Sequence, residues 1–188
     1  MTQPSKILVV DDEPDVANEI ARIIGKKEEY SVEIAHSGDE AIEKLKNSDF
    51  DVILLDIRMP QKSGIETLKE MRGLGKSFEA VMVTALDDAR TAWEVSQVGA
   101  FDYITKPFKN EDLLLRLKMA VERKKESEQY RDIRNFLKMK SENPEEYQKI
   151  LDEWAEYSSK KGGPLLLGLE EIRFVLQQRQ LDPEWFKK

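Results

Sequence analysis

Residues 52–60 read VILLDIRMP, a run of four apolar residues that stops on Asp56 and is preceded by Asp51. A short, β-branched-rich apolar run bounded by charge is the pattern of a strand buried on both faces of a parallel sheet. Two other stretches share it: ILVV at 7–10 stops on Asp11-Asp12-Glu13, and VMV at 81–83 stops on Thr84-Ala85. YSVEIA at 30–35 and AFDYI at 100–104 are weaker runs of the same kind. The intervening segments have helical spacing, as in Val16, Ile20, Ile23 and Ile24 after Pro14, or Ala41, Ile42 and Leu45 after Ser37, a predicted N-cap. Five strands alternating with five helices predict an α/β fold, a doubly wound parallel sheet with right-handed crossovers.

In such a sheet reactive groups lie beyond the carboxyl ends of the strands, where strand order reverses; for the order 2-1-3-4-5 this falls between the first and third strands. Those two ends carry Asp11-Asp12-Glu13 and Asp56. Carboxylates brought together repel, so a cation should neutralise them, and an all-oxygen site favours Mg²⁺ or a similar hard ion. Asp11-Asp12 alone is read equally well as a pair of turn acids. The other strand ends add to the pattern, since the fourth offers the Thr84 hydroxyl and the fifth the Lys106 ammonium before Pro107, both suited to a phosphoryl oxygen.

On these residues, with the motifs VVDDEPD (9–15), LLDIRMPQKSG (54–64), VTA (83–85) and GAFDYITKPF (99–108), residues 5–121 resemble the receiver domain of bacterial two-component response regulators. The resemblance implies a flavodoxin-like sheet of order 2-1-3-4-5 and a Mg²⁺-dependent phosphorylation of Asp56 by a sensor histidine kinase. It further implies that Asp12 binds Mg²⁺ directly, that Asp11 acts largely through water, and that the backbone carbonyl of Arg58 is a third protein ligand. Lys106 would pair with the phosphoryl group and Thr84 would turn toward it, with Tyr103 as a switch residue; the other reading of Tyr103 is a half-exposed strand tyrosine. The domain would promote its own phosphorylation and dephosphorylation without a separate enzymatic output. Pro60 and Gly64 suit a tight turn beside the phosphate. His36 is the only histidine and reads as a surface residue away from the acids; Trp93, on the fourth helix, fits a partner surface or partial core packing equally.

Two other functions share parts of this pattern. A flavodoxin-like cofactor binder needs a Ser/Thr/Gly-rich loop after the first strand, where this chain has DDEPD, which would repel a phosphate. An aspartyl phosphatase would place its nucleophile and a second acid as D-x-D after the first strand, not a lone acid after the third.

The 188 residues allow one domain of ordinary size, with 1–121 as the phosphoacceptor domain and 122–188 as a helical extension. The chain is 36% charged and 40% hydrophobic, as for a globular protein, and holds no cysteine, which excludes disulfides, thiolate zinc sites and a cysteine nucleophile. The N-terminus shows neither a signal peptide nor a membrane span, so a cytoplasmic location is expected. Net charge is −7; residues 1–121 hold 16 basic and 23 acidic residues, and 122–188 hold 14 of each.

A helix opening near Lys109, with Asn110 and Glu111 at its start, closes the first domain and is expected to run past residue 121. Asn143-Pro144-Glu145-Glu146 predicts a capped start, followed by a stripe of Tyr147, Ile150, Leu151 and Trp154. After the break at Gly162-Gly163-Pro164, Leu169, Ile172, Val175 and Leu176 form a second stripe before Asp182-Pro183. The two stripes are expected to bury each other and to dock also on the long fifth helix or on a second copy of the chain. The extension has no G-x-x-x-x-G-K-[ST] motif and no histidine, which excludes an ATPase or phosphotransfer module. Its neutral balance and the acidic DEWAEY (152–157) make DNA an unexpected partner, with a protein effector or a second copy of the chain expected instead. The alternative output is a DNA-binding transcriptional regulator with an unrecognised or truncated helix-turn-helix.

Overall fold

In the computed structural model, which describes residues 3–85 and 89–161, the elements follow as β1 (Ser5–Val10), α1 (Pro14–Ile24), β2 (Tyr30–Ala35), α2 (Gly38–Asn47), β3 (Val52–Asp56), α3 (Gly64–Gly73), β4 (Glu79–Thr84), α4 (Ala89–Gln97), β5 (Asp102–Thr105), α5 (Asn110–Glu142) and α6 (Pro144–Lys161). The sheet is five-stranded and parallel, in the order β2-β1-β3-β4-β5. The three continuous apolar runs are its central strands, and β3 is buried at every position. The two weaker runs are its edges, where burial alternates or is partial. A central strand must be apolar on both faces, whereas an edge strand keeps water on part of one; that is why the edges read less clearly in the sequence. The expected run at 100–104 lies two residues off, because Gly99 turns the chain at φ 71° and Phe101 still belongs to the turn, its N–H donating to the Ala80 carbonyl.

Two apolar clusters cover the two faces of the sheet. Leu8, Val10, Ile53, Leu55 and Met82 face α2 and α3, while Ile7, Val9, Leu54, Val81 and Val83 face α1 and the start of α5. The alternation follows from the pleat, which sends successive side chains to opposite faces. The local signals act as expected: Pro14 sits in the first turn of α1, and the Ser37 hydroxyl accepts the Glu40 N–H at 3.2 Å. Trp93 is 63% exposed on α4, so core packing is not its role.

The chain divides into two compact units, residues 1–124 and 125–188. In the second, Phe136, Ile150 and Trp154 form a small buried cluster with Met139, Tyr147, Leu151 and Tyr157 against it. Asn143 caps α6, its Oδ1 accepting the Glu146 N–H at 3.2 Å, with Pro144 first in the helix. The 147–154 stripe thus meets the end of α5, as expected in part. The break at 162–164, the stripe of Leu169, Ile172, Val175 and Leu176, and the Asp182-Pro183 turn lie outside the described residues. No described helix is long and apolar enough to cross a membrane.

Candidate functional site

The register of the sheet assembles the site. β1 and β3 are neighbours with Val10 opposite Leu55, so Asp11 and Asp56 leave the sheet side by side. β4 and β5 are paired with Thr84 opposite Thr105, and the Lys106 N–H donates to the Thr84 carbonyl at 2.6 Å. Four strand ends therefore converge on one place.

There, one carboxylate oxygen from each of Asp11, Asp12 and Asp56 lies within 4.8 Å of the others. Asp11 and Asp56 are 1% and 5% exposed, and Asp12 is half-buried. Three carboxylates so close are an all-oxygen donor set of the kind that holds a hard divalent cation. The cation already present is Lys106, whose Nζ donates to Asp11 Oδ2 at 2.7 Å and faces Asp56 Oδ1 at 3.5 Å. Asp11 also accepts the Glu13 N–H at 3.0 Å, which fixes its carboxylate.

The electrostatics single out Asp56. Burial pushes its carboxyl up to about 6; the Lys106 charge opposes this and the Asp11 charge adds to it. For Lys106, burial pulls downward, but the hydrogen bond to Asp11 and the nearby Asp56 and Asp11 charges outweigh it and hold the ammonium above the usual lysine range. A buried carboxylate raised in this way beside an ammonium group marks the cluster as a candidate site.

Thr84 is fully buried at the end of β4, and Tyr103 is 37% exposed on β5. Arg58 lies in the β3–α3 loop with its side chain exposed. Gly64 is required by close approach: a Cβ there would stand 2.0 Å from the Asp56 carbonyl oxygen, so any larger residue would displace the backbone that carries Asp56. The Gly64 N–H closes the loop on the Ile57 carbonyl at 2.9 Å.

His36 requires a correction. It does not lie away from the acids: its Nδ1 is 3.3 Å from the Asp11 carbonyl oxygen, although the side chain is exposed. The cause is register, since β1 and β2 end together with Val10 opposite Ala35 and the Asp11 N–H bound to the Ala35 carbonyl. Sequence reading also passes over Gln61, at φ 67°, and Lys62, which reaches partners 23 and 8 residues away. No local pattern announces such contacts.

A family model described as the response regulator receiver domain matches residues 7–118. The transcriptional regulatory protein ResD of Bacillus subtilis is 37% identical over 122 residues, which is 65% of this chain and 50% of ResD. The transcriptional regulatory protein DltR of Streptococcus agalactiae is 36% identical over 114 residues, 61% of this chain and 50% of DltR. The chain thus spans about half the length of these curated relatives. Among solved structures, a CheY-like receiver domain protein from Methanospirillum hungatei JF-1 superposes with a TM-score of 0.62 at 30% identity, over 66% of this chain and 98% of that one.

Proposed function

The chain belongs to the response regulator receiver domain family, and from that premise we propose that Asp56 accepts a phosphoryl group from a sensor histidine kinase and that the resulting change of conformation controls an output carried by the C-terminal helices. The observation that supports this most strongly is the placement of Lys106 Nζ between Asp11 and Asp56, 2.7 and 3.5 Å away, at the mouth of the three-carboxylate cluster.

Asp11, Asp12 and Asp56, with the Arg58 carbonyl, would hold Mg²⁺, which when bound supplies charge neutralisation for the incoming phosphoryl oxygens. An oxygen of Asp56 forms the new O–P bond as the P–N bond to the kinase histidine breaks, the electron pair remaining on the imidazole. Lys106 donates to a phosphoryl oxygen, and Thr84 turns toward the same group. Because Thr84 ends the strand beside β5, its displacement is passed to Tyr103, which is exposed enough to move. Positioning and charge do the work, as in other phosphoryl transfers.

With Mg²⁺ and a small phosphodonor, one carboxylate should be labelled with an acid-labile or base-labile acyl phosphate character, and Asp56→Asn should abolish the label. Stoichiometric, acid-stable labelling of that variant would overturn the assignment. For the output we favour contact with a protein, through the α5–α6 cluster. ResD and DltR are transcriptional regulatory proteins, so the charge argument against DNA does not stand alone, and DNA-linked regulation is a second reading. Salt-sensitive, submicromolar binding of duplex DNA by the full chain would favour it.

A further inference from the structure

The β3–α3 loop, residues 57–63, joins Asp56 to α3 and carries Arg58, so its shape sets where both can stand. Ile57 and Met59 anchor one side of it in the core, at 6% and 9% exposure. The other side holds a residue in the left-handed region, Gln61 at φ 67°, a conformation that side chains other than glycine adopt at a cost. Such a residue persists only where its surroundings over-determine it.

Lys62 follows it in the chain. Its Nζ donates to Asp39 Oδ1 at 2.7 Å, in the first turn of α2, and to Glu70 Oε2 at 2.6 Å on α3. Its stem runs across Gly38, where a Cβ would meet Lys62 Cδ at 3.3 Å and Thr67 Oγ1 at 2.2 Å, so α2 and α3 approach as closely as glycine permits just where Lys62 crosses. Thr67 Oγ1 in turn donates to the Ser63 carbonyl at 2.9 Å, and Ser63 forms a capping box with Glu66. The outer half of the loop is thus tied to two helices through one ammonium group.

We propose that Lys62 is a positioning residue for the acidic pocket: by bridging Asp39 on α2 and Glu70 on α3 it holds the β3–α3 loop, and with it Asp56 and the Arg58 carbonyl, in the one arrangement that binds Mg²⁺. This rests on the phosphoacceptor role given to Asp56. Lys62 touches neither substrate nor metal and acts only through the loop. Its ion pairs are half-exposed, with Lys62 at 26% and its partners at 68% and 50%, so they add little to global stability, and loop order is separable from folding.

The test uses the full chain. In Lys62→Ala, Mg²⁺ affinity by titration calorimetry should weaken about tenfold, the lower end of what residues supporting metal ligands deliver. In metal-free protein the Gly64 amide, bonded to Ile57, should exchange its hydrogen faster by a similar factor, with the thermal midpoint little changed. Lys62→Arg should restore most of both, because it keeps the charge and the two acceptors. The Asp39→Ala, Glu70→Ala double variant should reproduce the alanine effect without touching Lys62, and it decides the matter if Lys62→Ala does not fold. Unchanged Mg²⁺ affinity and Gly64 exchange in Lys62→Ala, or in the double variant, would overturn the proposal. Loss of labelling in Asp56→Asn with Lys62→Ala still binding Mg²⁺ normally would leave the phosphoacceptor standing and remove only the clamp.

Discussion

The two units bury different things. In residues 1–124 two apolar clusters enclose a sheet whose strand ends hold Asp11, Asp56 and Thr84 nearly out of water, with Lys106 beside them. In the described part of residues 125–188 the buried core is Phe136, Ile150 and Trp154, joined by aromatic contacts such as Phe136 to Tyr147 at 5.0 Å between ring centres. Burying charge is unfavourable unless it is paired, and here it is paired only in part, since Asp56 is held up to about 6. The fold retains that cost on one side and has no comparable feature among the described residues of the other. The proposed chemistry thus belongs to the first unit, while the described part of the second buries an apolar cluster between helices.

The largest effect that can break this division is on phosphorylation. Asp56→Asn should remove labelling altogether, while Trp154→Ala should leave the labelling rate within about twofold, because the two residues belong to separate cores. A Trp154 variant that folds but no longer accepts phosphate would show that the units are not separable. In stability the same variant should cost about 3–5 kcal/mol, the usual range for truncating a buried tryptophan, and the loss should be confined to the α5–α6 cluster. Hydrogen exchange would then show residues 136–158 losing protection while β1, β3 and β4 keep theirs.

How much of this was readable beforehand follows the same line. The central strands could be read because double burial forces continuous apolar runs, and the pocket because four strand ends in register needed only Asp11, Asp56, Thr84 and Lys106 in that order. The N-caps Ser37 and Asn143 were legible because capping is a local matter of three or four residues. What sequence did not yield is what register and loop geometry bring together across long separations: His36 beside the Asp11 carbonyl, Lys62 against Asp39 and Glu70, and the positive φ of Gln61. The end of α5 reads only as a continuation of the helix, since Phe136 and Met139 meet α6 without a sustained apolar repeat.

A pH titration sharpens the claim that the first unit stores an electrostatic cost. In metal-free buffer the folded chain should keep a proton on Asp56 up to about pH 6, which the unfolded chain releases near the ordinary carboxylate value of 3.8. The folded state therefore binds more protons at Asp56 in that window, and the contribution of Asp56 to stability falls as pH rises from about 4 to about 6, then levels off. The raised value corresponds to about 3 kcal/mol at most. Asp56→Asn should abolish this slope and melt higher than the parent above pH 6. Added Mg²⁺ should flatten it too, since a cation on the pocket stabilises the ionised form. A metal-free chain whose stability rises between pH 4 and 6 as steeply as that of Asp56→Asn would mean that Asp56 is not held in its neutral form.

The smallest effect concerns the loop itself. Gln61 is the one residue other than glycine with positive φ among the described residues, and it lies in the loop that begins after Asp56. Glycine relieves the clash between Cβ and carbonyl that makes this region unfavourable, a gain of about 1–2 kcal/mol, but it loses more chain entropy on folding, at about 0.5–1 kcal/mol. The balance is a stabilisation of up to about 1.5 kcal/mol for Gln61→Gly, visible as a higher urea midpoint with unchanged slope. Because Lys62 still bridges Asp39 and Glu70 in this variant, the Gly64 amide should exchange no faster than in the parent. Strain and restraint are then distinct: removing the first raises stability and leaves the loop ordered, whereas removing the second loosens the loop at little cost in stability. A Gln61→Gly chain that is less stable than the parent would show that the left-handed turn at 61 carries no strain to relieve, and that the side chain makes a contact worth more than the clash it avoids.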